Sequence, residues 1–118
     1  MPETAETPIA RLRKAVIAQK TASLPDPPKD RLLQPFYDLL FEYDQYITQT
    51  VINVLQGAVD AEDYTHREQI DKLKGELENP LNPVTKRELD LYNNYLLHLD
   101  KMMVLVKAVI SDRAIKKE

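Results

Sequence analysis

The sequence predicts an all-α protein: a short N-terminal helix followed by a long antiparallel helical hairpin of coiled-coil type, which completes a helical bundle by association. Three observations carry this expectation. The 118 residues contain only two glycines, and glycine is what tight hairpins and phosphate-binding loops consume. Apolar residues recur in alternating steps of three and four over long stretches, the spacing of one helix face. Prolines gather in two places, Leu24-Pro25-Asp26-Pro27-Pro28 and Asn79-Pro80-Leu81-Asn82-Pro83, where a helix cannot run through.

The elements follow in order. Residues 1–7 are polar and read as a loose N-terminus, with 8–118 as one helical domain. Thr7 followed by Pro8 reads as an N-cap with proline at the first helical position, and Ile9, Leu12 and Val16 place a helix over about 8–22. After the first proline cluster, Asp30 is the expected N-cap of a second helix over 30–78. Its row Phe36, Leu40, Tyr43, Ile47, Thr50, Val54 keeps the three-four spacing, and nothing before Glu78 compels a stop, with Gly57 the one position open to a bend or a break. The stretch from Asp60 to Glu78 is polar apart from one narrow stripe, with Glu68 and Lys72 as a favourable i,i+4 pair. After the second cluster, Thr85 and Glu88 match a capping box opening a third helix over 85–116.

That third helix carries two apolar rows. Leu89, Tyr92, Leu96, Leu99, Met103, Val106, Ile110 form one, and Leu91, Tyr95, His98, Met102, Leu105, Val109 form the other. Both keep heptad spacing. One row suffices for the hairpin, so the second is expected to face a partner, with Phe36, Tyr37, Leu40 and Phe41 at the crowded start of helix two. The first helix is expected to lie along helix two, over Leu40 and Tyr43. A break at Gly57 gives the alternative, in which four helices bury both rows within one chain.

Composition narrows the function. Charged residues make up 30% and hydrophobic residues 43%, the balance of a folded domain. The absence of cysteine removes disulfides, thiolate metal sites and a cysteine nucleophile. The first residues lack a basic start followed by an apolar run, so no secretory signal is expected. The longest dense apolar run, Met102 to Val106, falls far short of the ~20 residues of a membrane span, and a cytoplasmic protein is expected. Net charge is −3, which gives no global attraction to nucleic acid.

Three groups of residues are candidate sites. Arg11, Arg13 and Lys14 on the first helix, with Arg113, Lys116 and Lys117 at the far end, are an anion or nucleic-acid patch in one reading and solubilising helix charges in the other. His66 and His98, the only histidines, fall at similar heights in a hairpin and are weak metal candidates. A di-iron bundle would need Glu-x-x-His on two helices, which the sequence lacks, and His98 sits in the second row. The tyrosines at 37, 43, 46, 92 and 95 fit row positions, where the ring packs and the hydroxyl stays polar. The expectation is therefore a non-enzymatic interaction or scaffold protein without a cofactor, acting as a homo-oligomer or as a subunit of a larger assembly. A nucleic-acid binder and a helical-bundle metal-binding protein are the alternatives.

Overall fold

The computed structural model describes residues 7–19, 24–77 and 82–116, and all regular structure among them is helical. Helix α1 spans Pro8–Gln19, α2 Gln34–Leu55, α3 Arg67–Glu76 and α4 Pro83–Lys116. The end of the first expected helix, beyond residue 19, and the Asn79-Pro80-Leu81 part of the second turn lie outside the described residues. No helix among the described residues is long and apolar enough to cross a membrane. Helix α4, about 50 Å long at 1.5 Å per residue, matches the 53 Å long axis of the molecule and is its spine.

The helix starts follow their capping chemistry. Thr7 Oγ1 accepts the Ala10 N–H at 3.3 Å, satisfying one of the orphan donors of α1. Asp30 Oδ1 accepts the Leu32 N–H at 2.9 Å and caps a single 3-10 turn, Arg31–Leu33, that leads into α2. Helix α4 departs from expectation. Asn82, not Thr85, caps it: its Oδ1 accepts the Thr85 N–H at 2.8 Å, and Pro83 takes the first helical position. The two residues of the expected capping box are spent on long-range bonds instead. The Thr85 hydroxyl donates to Asp30 Oδ2 at 2.9 Å, and Glu88 Oε2 accepts the Lys29 N–H at 3.0 Å. The starts of α2 and α4 are thereby fastened side by side.

The continuous 30–78 helix is broken. Helix α2 ends at Leu55, and Gly57 adopts φ +110°, a backbone conformation that costs glycine little and other residues much. The Ala58 N–H closes back on the Asn53 carbonyl at 2.9 Å, as in a Schellman stop. Arg113 of α4 completes the stop by donating from Nη1 to the carbonyls of Val54 and Ala58. The chain then runs back along α2. Tyr46 donates to the Glu62 carbonyl, and Tyr64 donates to the Leu39 carbonyl at 3.1 Å.

This reversal overturns the antiparallel pairing expected between helix two and the last helix. The contacts of α2 with α4 climb together: Phe36 on Tyr92, Tyr43 on Asp100, Val54 on Arg113. The two long helices are therefore parallel. The chain reverses after α2, and α3 meets α4 through Arg67 and Asp100.

Both rows of α4 are placed. In the first, Leu89, Tyr92, Leu96, Leu99 and Val106 are buried, and Tyr92 meets α2 with its ring 6.3 Å from that of Phe36. In the second, Tyr95, Met102 and Val109 are buried, while His98 and Leu105 are half-buried and Leu91 is exposed. Helix α1 packs chiefly on α4, not along helix two, and its Leu12 is fully buried. One chain thus joins four helices around one core, at about 1.5–3 kcal/mol for each fully buried large apolar side chain.

Candidate functional site

The expected interface residues divide. Phe36 and Leu40 are fully buried, and Tyr95, Met102 and Val109 nearly so. They belong to the core that the helices of one chain build together, with Phe36 packed on Tyr92 of α4 and α1 laid on α4. Tyr37 is half-buried, its hydroxyl donating to the Pro25 carbonyl at 3.0 Å and its ring 5.4 Å from Tyr92. Of the expected set, Leu91 and Phe41 remain exposed.

The basic candidates also separate. Arg11, Arg13 and Lys14 are exposed on α1. Arg113 is half-buried and occupied as the cap of α2, so it does not belong to an anion patch. The Lys116 side chain and Lys117 lie outside the described residues.

Neither histidine joins a metal cluster: among the described residues no three His, Cys, Asp or Glu side chains converge as a metal would require. His66 Nδ1 lies 3.8 Å from Glu42, with its ring 5.3 Å from Tyr64. His98 packs its ring 5.8 Å from Tyr95, and its buried Nε2 has no hydrogen-bond partner among the described residues.

The most organised polar group is one that the sequence did not single out. Arg67, at the start of α3, donates Nε to Asp100 Oδ1 at 3.0 Å and Nη2 to Asp100 Oδ2 at 2.8 Å. It also pairs with Asp71 one turn along. The Tyr43 hydroxyl donates to the same Asp100 Oδ1 at 2.9 Å. Tyr64 stacks between Tyr43 and Tyr46, with centroids 4.7 and 5.1 Å away. Burial raises the Asp100 carboxyl, but the bonds from Arg67 and Tyr43 outweigh it and hold the group below its usual value. Burial first, and then the bond to Asp100, push the Tyr43 phenol up, and burial pushes Tyr64 up to about 12. Both kinds of group thus move away from neutrality, opposite to the tuning that general acid–base catalysis uses. The network ties α2, α3 and α4 together. Beside it lies an open groove of about 440 Å³ whose lining includes Tyr46, Asp60, Glu62, Lys107 and Ile110.

The outer surface holds a second feature. Leu97 and Val104, one heptad apart on α4, are 57% and 67% exposed, and Phe41 and Ile52 on α2 are 45% and 43% exposed. Leu97, Val104 and Ile52 lie outside both sequence-derived rows. Comparison with family models, curated protein sequences and solved structures finds no match to this chain.

Proposed function

We propose that this chain is a non-enzymatic helical interaction module, acting with a second copy or as a small subunit of a larger assembly. One observation carries the reading: large apolar side chains stand exposed at helical spacing on the outer faces of the two longest helices, Phe41 and Ile52 on α2, Leu97 and Val104 on α4. Scattered exposed apolar residues are ordinary on soluble proteins, but residues aligned on one helix face form the kind of patch that a partner helix covers. The internal polar network supports the reading from the other side. Its charges are paired with one another, between helices.

The test is copurification with a tagged chain, beside a variant carrying Ile52→Glu, Leu97→Glu and Val104→Glu. The expected result is a defined partner, or a second copy, that the variant loses while keeping its helical circular dichroism. Association that the triple variant keeps unchanged, or a wild type that recovers neither, would sink the proposal.

A further inference from the structure

The inference rests on the interaction reading above and names the partner and the face. From Gln45 to Val59 the sequence contains no Asp, Glu, Lys, Arg or His, in a chain where 30% of residues are charged. Most of this stretch is α2, and α2 carries two rows in three-four steps. The inner row, Phe36 to Val54, is buried. The outer row is Phe41, Gln45, Thr48, Ile52, Leu55: its first four members are exposed and Leu55 is half-buried. A solvated helix face ordinarily carries charge, whereas depletion of charge marks the centre of an interface. The flank of this row is amide instead, with Gln49 Nε2 donating to Asn53 Oδ1 at 2.9 Å.

We propose that the outer row of α2 binds a second copy of this chain, the two α2 helices packing antiparallel about a two-fold axis at Thr48. Read outward from Thr48, the row has Gln45 and Ile52 on its two sides, then Phe41 and Leu55. Antiparallel packing sets the Phe41 of one copy on the Leu55 of the other, Gln45 on Ile52, and Thr48 on Thr48. Such self-complementarity is what an isologous interface requires.

Charge fixes both the direction and the occupant. The carboxylates of α2, Asp38, Glu42 and Asp44, all lie in its N-terminal half. Parallel packing would oppose them to themselves, between chains of net charge −3. Antiparallel packing sets them against a charge-free half. A strongly charged partner finds no countercharge along this row, whereas a second copy finds its complement. Phe41 to Leu55 spans about 21 Å of helix, a single helix-on-helix contact smaller than a standard interface, so association depends on concentration.

Sedimentation equilibrium of the intact chain across micromolar to millimolar concentration is the test. The mass is expected to rise toward a dimer. Ile52→Glu is expected to stay monomeric at every concentration with an unchanged melting temperature, and Leu97→Glu on α4 to dimerise like the wild type. Thr48→Cys, in a chain with no cysteine of its own, is expected to give a disulfide-linked dimer under mild oxidation. A wild type that is monomeric throughout overturns the proposal, as does a dimer that Ile52→Glu leaves intact. If the tagged chain recovers a partner that Leu97→Glu and Val104→Glu abolish while the wild type stays monomeric, the interaction module stands and the α2 dimer falls. If Leu97→Glu alone abolishes the dimer, the second copy sits on α4 and the assignment to α2 is wrong.

Discussion

The two faces of α2 share a spacing and differ in almost everything else. The inner row presents Phe36, Leu40, Tyr43, Ile47 and Val54, all buried, and beside it Tyr43 enters the polar network of Asp100 and Arg67. The outer row places Gln45 and Thr48 between Phe41 and Ile52, all exposed. Heptad spacing alone therefore does not separate a core from a docking face. Composition and anchoring do: the inner row is mostly large and apolar, and its two hydroxyls, of Tyr43 and Thr50, are bonded inside the molecule, whereas the outer row sets Gln45 and Thr48 in water among its apolar residues.

The sharpest way to break the contrast is on the inner face. Leu40→Ala, at a fully buried site, is expected to cost about 2–5 kcal/mol, measured by urea unfolding. Asp100→Asn comes next. It removes the charge shared by Arg67 and Tyr43, and with Asp100 partly exposed the expected loss is about 1.5–3 kcal/mol. The same carboxyl gives a pH signature. Its pKa is depressed in the folded state, so its stabilisation is present above the ordinary carboxylate value of 3.8 and is lost as pH falls below it. The wild type is expected to lose its stability advantage over Asp100→Asn on acidification below that value; a constant difference from pH 7 to pH 2 would refute the assignment.

Gly57→Ala tests the reversal that separates the two faces from their neighbours. An added Cβ meets nothing within 4 Å, so the cost is that of the positive φ alone, about 1–3 kcal/mol, read from thermal melting. The smallest effect is expected on the outer face. Ile52→Glu, at an exposed position, should change monomer stability by under about 0.5 kcal/mol; a larger loss would mean that this face already belongs to the core.

These contrasts mark what the sequence could disclose. The helical class was legible because spacing and glycine scarcity are local properties. So was the excess of apolar surface on α4, and so was Gly57 as the weak point of helix two. The direction of the chain after Gly57 was not, because the arginine that caps Val54 and Ala58 arrives from 59 and 55 residues away. Thr85 and Glu88 match a local capping motif, yet their partners are Asp30 and Lys29, and no spacing rule separates the two uses. The second row of α4 is expected from spacing to face a partner, yet Tyr95, Met102 and Val109 are buried within the chain, and α1 packs on α4 with a short apolar stripe that fits either long helix. On the surface, Phe41 stands out in the sequence as crowding at the helix start, while the missing charge from Gln45 to Val59 is a plain sequence signal that three-four spacing does not register.

The cap that Arg113 supplies to the end of α2 also orders events in time. A chain made from its N-terminus completes α2 and the reversal well before this arginine exists, and the carbonyls of Val54 and Ala58 must turn to water meanwhile. Contacts across such long separations slow folding, and the end of α2 stays uncapped until α4 is in place. A chain cut just before Arg113 would keep the helices but leave this end to fray, and amide exchange at Gln56 to Ala58 would report it.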